Sequence, residues 1–263
     1  MINQASQKST VQKPHKKSSV SQALQSFLKN HVNDINDGDV SFSVVQNEQE
    51  KDECLQLAYI EYLKKGYVEK DNYKAMETIY DKTGNSIIFK AEYQQKIIGT
   101  VTINWDSALG LPLDNVFPEA KSLFERGVGE IAEVTRLAIA KGPFNSKNII
   151  SGLFNSVTLD LIKGSVYKYL VIEVNPRHQF FYKKKMQFKP LIDSRPCQRV
   201  SGAPAVLLSL SYSDCLYAYL NCNEDASLNK SLYVNFKMDP RIIKEIQDCK
   251  KNATQELIQG DIR

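Results

Sequence analysis

Segment 130–140 carries the residue types with the clearest chemical potential, because two acids, a threonine and an arginine interrupt an apolar run. Residues 131–140 have the pattern of a central buried strand, and a charge in such a strand needs a partner or a function. A buried carboxylate with a raised pKa can act as a general base near neutral pH. Glu133 is therefore a candidate base, and a structural Glu–Arg pair is the alternative.

The faces of this strand depend on its regularity. Strict alternation places Glu133 and Thr135 on one face and Arg136 on the other. A β-bulge would change that arrangement, and bulges are frequent next to active sites.

A second candidate segment, 174–188, follows another buried strand. Asn175 and Pro176 predict a helix start, with Asn as cap and Pro at the first position. Tyr182 lies in this helix and could protonate a departing thiolate, since thiols and phenols have reference pKa values of about 8.5 and 10. The alternatives are a core aromatic for Tyr182 and a first-turn surface residue for His178.

Basic residues are concentrated in one stretch of the chain. The whole protein of 263 residues has 34 Lys and Arg against 30 Asp and Glu. Segment 163–199 holds nine basic residues and only Glu173 and Asp193 as acids. Such a region could meet an acidic partner or a phosphate, or be a solvated surface. It lacks a nucleic-acid recognition motif, so no nucleic acid is expected.

Several classes of protein are excluded by composition. The five cysteines are scattered without a CxxC motif, and the three histidines form no HExxH, so neither a disulfide framework nor a metal site is expected. There is no apolar run of about 18 residues, and segment 1–19 is polar, so no spanning helix or secretory signal is expected. We expect a cytoplasmic protein.

The elements that must position these residues alternate between strands and helices. The hydrophobic patterns predict strands at 41–45, 87–93, 97–105, 131–140, 169–174 and 205–210. Helical spacing predicts helices around 55–63, from Ser146 as a cap to about 161, and from 176. The order β-α-β-β-β-α-β-α-β predicts one α/β mixed sheet.

Three regions follow from composition. Residues 1–39 are predicted to be a flexible tail with a short amphipathic helix, and its basic cluster, or the product, could give peripheral membrane contact. Residues 40–215 hold the predicted α/β sheet. Residues 216–263 are predicted to be a C-terminal extension with a helix.

Four motifs in order resemble the FeeM-type long-chain N-acyl amino acid synthases, which belong to the GNAT-like acyltransferase superfamily and are related to the acyl-homoserine-lactone synthases. The motifs are LAYIEYLKKGYVEKDNY (57–73), LPLDNVFPEA (111–120) with AEVTRLAI (132–139), VNPRHQFFYKKKMQF (174–188) and GAPAVLL (202–208). The acid-x-Thr-Arg pattern of the relatives is Glu133-Val134-Thr135-Arg136 here. The resemblance covers residues 40–215.

This resemblance implies a GNAT-like N-acyltransferase that moves a long acyl chain from a phosphopantetheine thioester to the amine of an amino acid. No tightly bound cofactor is implied, and acyl carrier protein or acyl-CoA is the co-substrate. Glu133 would take the proton of the amine, Tyr182 would protonate the thiolate, and Arg136 would hold the substrate carboxylate or orient Glu133. The oligomeric state is left open.

Three further groups of residues are assigned under the same resemblance. The donor and its phosphopantetheine arm would contact Thr135, Leu137, Lys141, Ser146, Asn175 and His178. The acyl tunnel would be lined by Trp105, Leu113, Phe117, Phe124 and Phe154, with Leu109 nearby. The acidic carrier protein would dock on Arg177, Lys183, Lys184 and Lys185, which gives the basic stretch a role.

The sequence departs from the superfamily pattern at two places. Segment 140–152 lacks the Arg/Gln-x-x-Gly-x-Gly/Ala pyrophosphate loop, which favours a carrier-protein donor over coenzyme A. Gln187 replaces the usual glycine before Phe188, so that turn is expected to differ. The alternatives are an acetyl-CoA-dependent N-acetyltransferase, an acyl-homoserine-lactone-type synthase and a non-catalytic lipid-binding module.

Overall fold

A single mixed sheet organises the protein in a computed structural model that describes residues 36–37, 40–70, 76–124, 130–142, 144–164 and 167–236. Within these residues the sheet has eight strands in the order β1-β2-β3-β4-β5-β6-β8-β7. The strands are β1 (Asn36–Asp37), β2 (Val40–Val44), β3 (Ser86–Tyr93), β4 (Lys96–Trp105), β5 (Ile131–Ile139), β6 (Tyr169–Val174), β7 (Lys189–Cys197) and β8 (Ala203–Ser211).

All neighbouring strands pair antiparallel except β5 and β6, which are parallel. Their parallel register runs only from Ile131 opposite Tyr169 to Val134 opposite Ile172. Beyond this point β5 and β6 no longer pair with each other, although each still pairs with its other neighbour. The sheet therefore opens between them at its centre.

Six α-helices connect the strands in the described part of the chain. They are α1 (Glu48–Lys64), α2 (Ile79–Lys82), α3 (Ala120–Leu123), α4 (Ser146–Gly164), α5 (Pro176–Met186) and α6 (Tyr212–Asn221). Asn47 caps α1 by accepting a hydrogen bond from the Glu50 amide, and Asn175 caps α5 in the same way through the Arg177 amide. None of these helices is long and apolar enough to cross a membrane.

The main hydrophobic core lies between the sheet and α4. The α4 residues Leu153, Phe154 and Val157 are fully buried against strand residues such as Val101 and Ile103. Gly152 lets α4 approach β2 closely, because a Cβ there would lie 2.1 Å from the Phe42 ring. A second hydrophobic cluster forms on the opposite face of the sheet around Leu111, Leu113, Phe117, Ile131 and Val171.

The predicted mixed α/β sheet is confirmed, and all six predicted strands are present. Strand β7 was missed because Pro190 and Pro196 interrupt its pattern. Proline is tolerated at the edge of a sheet, and β7 is the edge strand beyond β8.

Local details differ at two predicted turns. The side chain of Asn145, rather than Ser146, accepts the Lys147 amide at the start of α4. Gln187 adopts φ 62°, so it takes up the left-handed conformation that glycine tolerates best. The predicted helices within 1–39 and near 239–257 lie outside the described residues.

Candidate active site

A cavity of about 710 Å³ occupies the opening between β5 and β6. Its lining comes from β5, β6, α5, the end of α1 and the segment 197–205. Val134 and Ile172 belong to the main core, whereas Cys197 and Ala205 belong to the second cluster on the other face. The cavity therefore passes through the sheet, with polar and apolar walls.

A β-bulge in β5 shapes the wall of the cavity. Thr135 pairs with Thr102 and Ala138 pairs with Thr100, so Arg136 and Leu137 share a single position opposite β4. Arg136 has φ 53°, and a non-glycine residue pays about 1–2 kcal/mol for this conformation. The bulge turns the Arg136 side chain onto the face of Thr102, which strict alternation would have prevented.

Glu133 lies fully buried in the cavity wall. Its Oε2 atom accepts a hydrogen bond of 2.8 Å from the Leu113 amide. Its Oε1 atom has no hydrogen-bond partner among the described residues. Burial raises the pKa of Glu133 to about 8, with Glu173 and Asp114 adding to the rise while Arg199 and the Leu113 amide oppose it. A carboxyl with this pKa can exchange a proton near neutral pH.

Glu173 and Arg199 face Glu133 across the opening. Glu173 lies on β6 on the same face as Val171, the residue that pairs with Glu133. Arg199 Nη2 lies 2.5 Å from Glu173 Oε2 and 3.7 Å from Glu133 Oε1. The Cys197 thiol also points at Glu173 Oε2, at 3.7 Å. Burial, and then Glu173, raise the pKa of Cys197, so the thiol is protonated at neutral pH.

Arg136 lines the cavity, and most of its donors are taken by neighbouring protein groups. Its Nη1 and Nη2 atoms donate to both oxygens of Asp81 at 2.7 and 2.6 Å, and Nη1 also donates to the Met76 carbonyl. Its Nε atom donates to Thr102 Oγ1 at 3.2 Å. Although burial alone would raise it, the paired guanidinium holds the pKa of Asp81 well below its usual range. These contacts take four of the five N–H donors of Arg136, and its role toward a substrate carboxylate or Glu133 stays a prediction.

Tyr182 reaches the cavity from α5 and packs among aromatic rings. Phe181, Phe154 and Phe188 contact it edge-on, with ring centroids 5.2 to 6.0 Å away. Burial raises the pKa of Tyr182 well above its usual range and that of Tyr62 to about 12. Both phenols line the cavity and are protonated at neutral pH.

The predicted donor-contacting residues separate into two groups. Thr135, Leu137, Asn175 and His178 line the cavity. Lys141 and Ser146 are exposed and are not among the residues that line it. Partial burial and the charges of Arg177 and Lys65 lower the pKa of His178, and its Nε2 atom accepts a 3.1 Å hydrogen bond from Arg177 Nε.

The predicted tunnel residues do not line the cavity. Leu113, Phe117 and Phe124 pack in or against the second cluster, and Phe154 lies inside the main core. Trp105 stacks on Tyr167 with centroids 4.8 Å apart, and Leu109 is exposed. The apolar wall is instead formed by Val68, Met76, Leu137, Ile139, Ile150, Ile172, Val174 and Phe181.

The basic residues predicted for docking lie on α5. Arg177, Lys183 and Lys184 are exposed, and Arg177 Nη2 donates to the Tyr67 hydroxyl. Lys185 is partly buried, and its Nζ atom donates to the Lys230 carbonyl. Phe180 lies between them in sequence, and 71% of its side chain is exposed.

Sequence reasoning missed Glu173, Arg199, Tyr62 and Asp81. Glu173 had a detectable signal, since it is a charge inside the buried run of β6. Arg199 belonged to the basic stretch, where it was indistinguishable from surface charges.

Comparisons with known proteins identify the family and the fold of this chain. A family model for the N-acyl amino acid synthase FeeM matches residues 53–211, which is more than half of the chain. Among solved structures, FeeM from uncultured soil microbes matches with a TM-score of 0.58 at 19% identity, covering 75% of this chain and 97% of that one.

Other solved structures match more weakly. They include an N-acetyltransferase from Staphylococcus aureus Mu50 (TM-score 0.47, 14% identity, 66% of this chain and 98% of that one) and the AHL synthase LasI (0.47, 15%, 66% and 89%). No curated protein gives a significant match. On the strength of the family match, this chain belongs to the FeeM N-acyl amino acid synthase family and is an acyltransferase with a GNAT-like fold.

Proposed function

We propose that this enzyme transfers a long acyl chain from the phosphopantetheine thioester of an acyl carrier protein to the amine of an amino acid. The observation that carries the proposal is the cavity through the sheet, because it joins a buried carboxyl with a pKa of about 8 to an apolar wall. The family match supports the acceptor class, and the residues around the cavity support the individual steps.

Glu133 is the proposed base, since an amine must lose a proton before it attacks a thioester carbon. Its Oε1 atom makes no hydrogen bond to a described residue and is therefore available to that proton. Backbone amides released at the β5 bulge can polarise the thioester carbonyl. Tyr182 then donates its proton to the departing thiolate.

The acyl chain is assigned to the apolar wall of the cavity rather than to the tunnel expected from the sequence. Met76, Leu137, Ile139, Ile150 and Phe181 supply apolar surface there. Burial contributes about 0.8 kcal/mol per CH₂ group, so the wall favours longer chains over an acetyl group until it is filled.

The carrier protein is assigned to the outer face of α5. Phe180 offers an exposed aromatic ring beside the cations of Arg177, Lys183 and Lys184. Carrier proteins are acidic, so charge complementarity favours their approach to this helix. The same helix lines the cavity through Asn175, His178 and Phe181, so the arm of a carrier docked here has a short path to Glu133.

The proposed function is tested with purified enzyme, one long acyl chain offered on carrier protein and on coenzyme A, and a panel of amino acids. We expect an N-acyl amino acid by mass spectrometry, formed faster from the carrier protein. Acetyl-CoA turnover alone, lactone formation that depends on S-adenosylmethionine, or bound lipid without turnover would each contradict the proposal.

A further inference from the structure

Two carboxylate oxygens in the cavity wall make no hydrogen bond to any described residue. They are Oε1 of Glu133 and Oε1 of Glu173, and both are removed from solvent. The Glu133 side chain is fully buried, and that of Glu173 is 9% exposed. A buried carboxylate oxygen without a donor is costly, so this pair is incomplete without a ligand.

The missing ligand is identified by charge. Arg199 is the cation that the structure places against both carboxylates, and its Nη2 atom already lies 2.5 Å from the other oxygen of Glu173. When Glu133 gives up its proton, as a base must, the cluster holds two carboxylates and one guanidinium. A second cation with several N–H donors restores the balance, and an alkylammonium group has both properties.

Arg199 itself reaches the substrate space. More than a third of its side chain is exposed, at 36%, and it lines the same cavity as both carboxylates. A guanidinium in this position can accept a carboxylate in a paired geometry. Arg136 is less available for this pairing, because Asp81, Met76 and Thr102 take four of its five N–H donors.

We propose that Glu133, Glu173 and Arg199 form the subsite for the acceptor, which binds as a zwitterion. Its ammonium group lies between the free Oε1 atoms of the two glutamates, and its carboxylate pairs with Arg199. This inference rests on the proposed function and names the residues that select the acceptor. Glu173 and Arg199 bind and position the acceptor, and Glu133 also takes its proton.

The transfer balances in atoms and charge. The ammonium group gives one proton to Glu133, and the resulting amine nitrogen attacks the thioester carbon. A C–N bond forms and the C–S bond breaks. The amide nitrogen loses its second proton to solvent, and the thiolate takes the proton of Tyr182, which is then restored from Glu133.

The first test measures acceptor kinetics for Glu173→Gln with a saturating donor. Gln keeps the shape of the side chain and removes its charge, so the KM for the amino acid is expected to rise about 10- to 100-fold. The KM for the acyl donor is expected to stay unchanged. Glu119→Gln is the matched control, since it removes a carboxylate from a surface pair with Arg195 outside the cavity.

The second test compares each amino acid with the primary amine that lacks its carboxylate. Wild-type enzyme should prefer the amino acid, and Arg199→Gln should lose about 10- to 100-fold of this preference. Arg199→Lys should recover part of it, because the charge is kept and the paired geometry is lost. Thermal unfolding of each variant shows whether it is folded.

Different outcomes separate the two proposals. If wild-type enzyme forms no N-acyl product with any amino acid, the proposed function fails and this inference fails with it. If wild-type enzyme acylates amino acids but folded Glu173→Gln keeps its acceptor KM, or folded Arg199→Gln keeps its preference, only the inference is overturned.

Discussion

Two arginines meet buried carboxylates in this protein, and they differ in how completely they are paired. Arg136 donates to both oxygens of Asp81 and to two further acceptors, so neither oxygen of that carboxylate lacks a hydrogen-bond donor. Arg199 meets Glu173 and Glu133, and each glutamate keeps one oxygen without a hydrogen-bond partner among the described residues. The fully paired Asp81–Arg136 cluster stabilises the fold. The cluster of Glu133, Glu173 and Arg199 keeps two unpaired oxygens, which is why we propose it as the substrate subsite.

The comparison also shows that membership of a motif does not by itself tell which contacts a residue makes. Arg136 belongs to the acid-x-Thr-Arg pattern, for which a functional role was predicted. Its side chain pairs with Asp81 and so connects the bulge of β5 to α2. Arg199 belongs to no motif noted in the sequence and faces the proposed base.

The largest expected effect is on activity. Glu133→Gln should lower turnover about 10²- to 10⁴-fold, because the variant cannot take the proton of the amine. The measurement is the steady-state rate of N-acyl product formation at saturating donor and acceptor. Glu119→Gln should keep the wild-type rate. A folded Glu133→Gln variant with the wild-type rate would show that Glu133 is not the base.

The next effect is on stability. Asp81→Asn leaves the buried guanidinium of Arg136 without its charged partner, which costs about 3–5 kcal/mol. Denaturant unfolding measures the loss, and the kcat of the folded fraction should fall much less than in Glu133→Gln. Equal loss of kcat in the two variants would contradict the division into a structural and a functional cluster.

The pH dependence of stability also distinguishes Glu133, whose pKa is raised, from Asp81, whose pKa is lowered. The folded-state pKa of Glu133 is raised from 4.5 to about 8, so the folded protein binds more protons in this range. The free energy of unfolding should therefore fall as pH rises from about 4.5 to about 8. Glu133→Gln should remove this loss and stabilise the protein above pH 8 by about 2–4 kcal/mol.

Denaturant unfolding at several pH values measures this effect. The Gln side chain can still accept the Leu113 amide, so the variant isolates the charge. Equal slopes for wild type and variant between pH 5 and pH 8 would show that Glu133 titrates normally.

The smallest effect is expected on the exposed face of α5, whose lysines belong to neither cluster. Replacing both Lys183 and Lys184 with Ala should lower kcat/KM for an acyl carrier donor by up to about tenfold, because surface charges act mainly on the association rate. The loss should shrink at high salt. The rate with acyl-CoA serves as the internal control, and an equal loss with both donors would argue against docking on this helix.

Local patterns in the sequence determined much of this protein. The periodicities of apolar residues predicted six of the eight described strands, and Asn175-Pro176 predicted the start of α5. The Glu133 motif and its neighbours in order predicted the family, since each is a contiguous stretch of chain. These features depend on interactions between residues that are close in sequence, which a single sequence displays.

Only the tertiary structure shows which buried charged groups are fully paired and which keep an oxygen without a hydrogen-bond partner. Arg136 and Asp81 are 55 residues apart in sequence, and the bulge that turns Arg136 toward Asp81 is a shift of register between β4 and β5. Arg199 reaches Glu133 only because β7 and β8 fold back beside β6. The residues predicted for the acyl tunnel do not line the cavity for the same reason: apolar side chains look alike in sequence, and the gap between two strands determines which of them line a cavity.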